Sequence, residues 1–117
     1  METIRLTGES ADLTASVASS FATRARGLLG RPRLEAGQGL LIEPCNSVHT
    51  WFMRQPLDLV GLGRVAEGTA EVTWLSQDVR PWRFRWARRG TRSILELPSG
   101  EIERSKLRVG DQLTVEG

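Results

Sequence analysis

The stretch Pro44-Cys45-Asn46-Ser47-Val48-His49-Thr50-Trp51-Phe52-Met53-Arg54 holds the only cysteine and the only histidine of the chain, four residues apart. A Cys–His nucleophile pair needs sulfur and imidazole within hydrogen-bond reach. A helix would bring this spacing together, whereas a strand at 3.3 Å per residue parts the two Cα atoms by about 13 Å. The β-branched and aromatic types after Asn46 favour a strand, so Cys45 reads as a small, partly buried hydrophobe and not as a nucleophile. On that strand Ser47, His49, Trp51 and Met53 share one face, and Val48, Thr50 and Phe52 the other. His49 is then either a hydrogen-bonded core residue or part of a polar pocket.

Two carboxylates could complete such a pocket. Asp58 stands in Pro56-Leu57-Asp58-Leu59-Val60 and Glu96 in Ile94-Leu95-Glu96-Leu97-Pro98. An isolated acid in an apolar strand lies on a solvent face or is buried with a partner, because an unpaired buried charge is expensive. Alternation allows both acids a solvent face, and Arg54 is the expected partner if they are buried. The sharper alternative is a shared site, with His49, Asp58 and Glu96 converging, Trp51 and Met53 as apolar wall, and Cys45 beside them. Such a site suits a small ligand or peptide. A hydrolase-like or metal-assisted enzyme using His49, Asp58 and Glu96 ranks second, since no nucleophile–base spacing is recognisable. Zinc takes three or four ligands, and one His and one Cys do not supply them. Neither metal nor cofactor is expected.

A second stretch carries charge. Residues 80–92 hold six arginines and no acid, while the parts before and after each sum to −2, so the whole net excess of +2 lies there. Arginines interleaved with aromatics suit nucleic-acid backbones and bases, with Arg83, Arg85 and Arg88 as the candidates. Period-two alternation predicts something plainer: Trp82, Phe84 and Trp86 toward the core, Arg83 and Arg85 toward water. On that pattern nucleic acid ranks below a ligand pocket.

The elements that position these residues are mainly strands. Short apolar segments recur every eight to twelve positions between turn residues, the spacing of a sandwich or barrel. Strands are predicted at 3–6, 13–17, 40–42, 48–53, 57–62, 71–75, 82–86, 94–98 and 112–115. Thr23 caps one short helix carrying Ala25, Leu28 and Leu29 and stopped by Gly30 and Pro32. A single helical turn fits 101–106. The fold class is therefore mainly β, a β-sandwich or barrel-like fold with one short α-helix, and residues 1–117 form a single domain.

Length and composition agree. A chain of 117 residues has room for one core, and 39% hydrophobic with 26% charged residues excludes disorder and a membrane span. No apolar run approaches the roughly 20 residues of a spanning helix. The start, Met1-Glu2-Thr3-Ile4-Arg5, lacks a basic region followed by an apolar one, so no signal peptide is expected. A lone cysteine fits the reducing cytoplasm.

Seven elements in order carry a family resemblance: Arg26-Gly27-Leu28-Leu29, Gly39-Leu40-Leu41-Ile42, His49-Thr50-Trp51-Phe52-Met53, Pro56-Leu57-Asp58, Pro81, Leu95-Glu96-Leu97-Pro98-Ser99-Gly100 and Gly110-Asp111. Over residues 26–113 the chain resembles the family called domain of unknown function 192. The resemblance implies a compact β-sandwich or barrel-like fold with a short helix, and no activity. Where similar proteins show an aromatic and then an acid after the Leu-Asp strand, this chain has Gly61-Leu62-Gly63, which predicts a looser hairpin.

Overall fold

The computed structural model describes residues 2–18, 33–50 and 54–117. The helix expected from Thr23 lies outside the described residues. Seven strands close a barrel in the order β1-β2-β3-β8-β5-β6-β9, and a two-stranded sheet, β4-β7, stands apart from it. The elements are β1 (Glu2–Thr7), β2 (Asp12–Ala18), β3 (Gln38–Ile42), β4 (Ser47–His49), β5 (Leu57–Leu62), β6 (Thr69–Val79), β7 (Phe84–Trp86), β8 (Ser93–Pro98), helix α1 (Glu101–Arg104) and β9 (Gln112–Glu116). Of the two architectures the sequence allows, the barrel is the one formed. Every barrel pair is antiparallel except β2 with β3. A parallel pair needs a crossover, and the residues between Ala18 and Gln38 supply it.

Alternation sets the barrel interior. Ile4 and Leu6, Leu13, Ala15 and Val17, Leu41, Leu95 and Leu97, Val60 and Leu62, Val72 and Leu113 meet in one cluster, which Ile102 and Leu107 join. Each fully buried Leu or Val contributes about 1.5–3 kcal/mol relative to exposure. The opposite faces of β3, β5 and β8 are also apolar. Leu57, Leu59 and Ile94 pack with Val48 and Ala87, which come from the β4-β7 region. Leu40 and Ile42 form a smaller cluster that touches Cys45. These three strands are covered on both sides, hence their near-continuous apolar runs.

The hairpin after β5 is not loose. Gly63 N–H donates to the Glu71 carbonyl, Ala66 bridges Thr69, and Glu67-Gly68 turns with φ of 53° and 76°. Both values are positive, as the two-residue hairpin turn with a matching twist requires. Gly61 has a packing reason: a Cβ there would lie 3.1 Å from atoms of Thr73 and Thr91. Those two hydroxyls are hydrogen-bonded at 2.7 Å and fill the space a larger residue would need. On the outside, Arg5 grips Asp12 through two bonds of 2.9 Å. That pairing holds the Asp12 carboxyl below its usual range.

Candidate functional site

Asp58 and Glu96 sit in neighbouring strands but not in one site. The register sets Asp58 opposite Leu97, and Leu59 opposite Glu96. Directly opposed residues share a face, so Asp58 lies with the barrel interior and Glu96 with the outer apolar wall, between Leu40 and Leu59. Both are 1% exposed, which corrects the expectation of a solvent face. Arg54 is not the partner of Asp58 either. The Asp58 carboxylate accepts three backbone N–H groups: Asp78 at 2.8 Å, Gly100 at 3.0 Å and Ile102 at 2.9 Å. Ser99 Oγ donates to Asp78 Oδ1 at 2.7 Å and ties the same corner. The run Pro98-Ser99-Gly100 is thus a structural joint, with Gly100 at φ 96° opening α1.

Glu101, which no sequence pattern singled out, has a similar role. Buried, it accepts from Gly37 N–H at 2.8 Å and from Ser105 Oγ at 2.9 Å, fastening the loop before β3 to α1. Cys45 is half-buried, and its thiol donates to the Ser47 carbonyl at 2.9 Å. His49 is placed by its backbone, at the end of β4 and paired with Phe84. Trp51 and Met53 lie outside the described residues, as does the His49 side chain.

Arg83 is exposed as expected, but the aromatics lie outside where the alternation predicts core. Trp82, Phe84 and Trp86 are 59%, 49% and 70% exposed. Arg85, opposite buried Val48, is the half-buried member of β7. The reason lies in the register. The face of the small sheet turned to the barrel carries Val48 and Ala87, which leaves Phe84 and Trp86 on the far side. Their ring centroids are 5.7 Å apart and tilted by 52°. Among the described residues this strand of three is bonded to one partner only, and no second layer packs on that side.

Buried Thr50 builds the turn that leads into this ribbon. Its hydroxyl donates to the Arg80 carbonyl at 2.7 Å and accepts from Arg83 N–H at 2.8 Å. Between them Trp82 takes φ 66°, a conformation rare for a bulky residue and one that persists only where surroundings enforce it. Thr50→Val should cost about 2 kcal/mol through two stranded backbone groups. Urea unfolding measures that loss, and faster amide exchange at Arg83 would locate it.

Beyond β7 the chain turns through Arg88-Arg89-Gly90 into an open cleft of about 410 Å³ whose lining includes Arg64, Glu71, Thr73, Arg88 and Arg89. Among the described residues the ion pairs are Arg5–Asp12 and Arg104–Glu101, and none of the six arginines of 80–92 takes part in one. A second cleft of about 290 Å³ is lined by residues 8–11, 105–108 and 111–113, with charges of both signs.

The family model for DUF192 (Uncharacterized ACR) matches residues 2–115. The chain belongs to this family. The UPF0127 protein of Thermococcus sibiricus is 30% identical over 101 residues, 83% of this chain and 62% of its own length. The UPF0127 protein PF1050 of Pyrococcus furiosus is 39% identical over 67 residues, 57% of this chain and 53% of its own. The chain thus spans between half and two thirds of the length of these curated relatives. A protein of unknown function from Novosphingobium aromaticivorans shares the fold with a TM-score of 0.75 at 22% identity, over 98% of this chain and 84% of that one. A protein of Sinorhizobium meliloti, named as a candidate transcription regulator, matches with a TM-score of 0.79 at 22% identity, over 97% and 92%. At that identity the two structures speak for the DUF192 fold alone. Among the described residues of this DUF192 chain no helix is long and apolar enough to cross a membrane.

Proposed function

We propose that this DUF192 domain is a non-enzymatic binding module whose binding face is the β7 ribbon with its flanking arginines. One observation carries the reading: Phe84 and Trp86 are exposed together on one face of β7, with Trp82 exposed just before it, and among the described residues no other strand packs on that face. Single exposed apolar residues are ordinary, but clustered ones rimmed by charge mark interaction surfaces. Trp and Arg are also the types over-represented where binding energy concentrates.

The catalytic alternative has less support. Asp58 spends its carboxylate on three backbone donors and lies on the face opposite Glu96. A small ligand or peptide remains a suitable occupant of the ribbon.

The test is the double variant Phe84→Ser with Trp86→Ser. Both rings are exposed, so thermal unfolding should stay cooperative and shift by no more than a few degrees. Binding should be measured against a panel of short peptides, single-stranded oligonucleotides and anionic vesicles. Loss of whichever interaction the parent chain shows supports the reading; a panel member that binds the variant as well as the parent places the binding face elsewhere.

A further inference from the structure

We infer that the partner of this face is single-stranded nucleic acid, with bases stacked on Phe84 and Trp86 and phosphates held by Arg64, Arg88 and Arg89. The inference rests on the binding-face reading above and adds the chemistry of the occupant.

Three features point the same way. The first is charge without neutralisation. Six arginines within thirteen residues carry no acid between them, and none is in an ion pair among the described residues. Three guanidinium groups, of Arg64, Arg88 and Arg89, line one cleft against a single carboxylate, and a polyanion relieves their mutual repulsion. The second is the spacing of the rings. Centroids 5.7 Å apart and tilted by 52° leave each ring a face for a separate planar group. Successive unpaired bases provide such groups, and stacking tolerates any sequence because every base has a π-face.

The third is shape. Arg88 follows Trp86 by two residues, and the chain there enters the concave cleft with Arg64, Arg88 and Arg89 against the single carboxylate of Glu71. A strand whose bases lie on β7 can lower its backbone into that groove, whereas a bilayer surface reaches only what protrudes. Base pairing hides the π-faces inside a stack, so duplex nucleic acid cannot use the rings in this way.

The ribbon's construction fits the task. Thr50 fixes the turn at Trp82 from behind, and Arg85 donates to the Phe84 carbonyl at 2.9 Å, stiffening the strand that carries the rings. A platform ordered in advance loses less freedom when a flexible strand settles on it.

Fluorescence anisotropy of labelled 15-mers of deoxythymidine and of uridine, titrated with the 117-residue chain between 50 and 200 mM salt, tests the inference. Three phosphate contacts on a single strand predict a slope of log K against log salt of about −2. Trp86→Ala should weaken binding roughly tenfold at every salt concentration, as loss of one stacked base does. Arg88→Gln with Arg89→Gln should instead flatten the slope to about −0.7, leaving one contact. Duplex of the same length should bind more weakly.

No binding at 50 mM salt with 100 µM protein overturns the inference, as does equal or tighter binding of duplex. If vesicles or peptides bind the parent chain and lose the Phe84→Ser, Trp86→Ser variant while the 15-mers do not bind, the occupant is wrong and the binding face stands. If the 15-mers bind but ignore the Trp86 and Arg88–Arg89 changes, the face itself is wrong.

Discussion

Asp58→Ala is expected to destabilise the domain by about 4 kcal/mol, because three backbone N–H groups lose a charged acceptor and that of Ile102 is buried away from water. The carboxylate joins Asp78 at the end of β6 to Gly100 and Ile102 at the start of α1. Ile102 is part of the barrel cluster, so loosening α1 also opens that end of the core. For a domain of ordinary stability, between about 5 and 15 kcal/mol, this is a large fraction of the total. Asp58→Asn keeps one acceptor oxygen and turns an N–H pair toward a donor, so a loss about half as large is expected. Urea midpoints at constant slope would measure both. A cost below about 1 kcal/mol for the alanine variant would show that the joint is not held by this side chain.

Gly39 gives the second large effect. A Cβ there would stand 2.9 Å from Leu97 Cδ2, 3.0 Å from Leu95 Cδ1 and 3.0 Å from the Glu96 carbonyl oxygen. The two leucines are fully buried in the closed barrel and the carbonyl belongs to the β8 backbone. The leucine tips therefore have little space to move into, and the backbone oxygen less. Gly39→Ala should cost about 1–3 kcal/mol, the usual range for overpacking a filled core, and Gly39→Val more. The check is thermal unfolding of both variants. A melting temperature equal to that of the parent would mean that β3 and β8 can part without penalty.

Much of this fold was legible because its signals are local. Period-two runs and turn residues place the strands, and the continuous Leu40-Leu41-Ile42 run marks a buried one. Closure was not legible, since whether the first and last strands pair (here β1 with β9) depends on long-range register. The expected site fared less well, and for physical reasons. Alternation says that Asp58 differs from Leu57 and Leu59, yet it cannot say which face is wet. Here neither face is, because the small sheet covers the outer one. Nor does spacing reveal that backbone N–H groups, and not Arg54, converge on that carboxylate.

The β7 ribbon shows the converse error. Trp82, Phe84 and Trp86 alternate with arginines as an amphipathic strand should, and the pattern is real. What it cannot supply is the second layer. The barrel takes the face bearing Val48 and Ala87, so the side that looks like core is the side left outside. Spacing places Thr50 only on the face opposite His49, and its two bonds across to Arg80 and Arg83 span 30 and 33 positions.

The most direct measurement is an amide chemical-shift map of the isotope-labelled chain, titrated with the uridine 15-mer. The account predicts that the largest changes fall on residues 82–92 and on Arg64 and Thr73 across the cleft, with β1, β2 and β9 unmoved. Changes centred on residues 8–11, 105–108 and 111–113, or spread over the barrel with the ribbon silent, would contradict it.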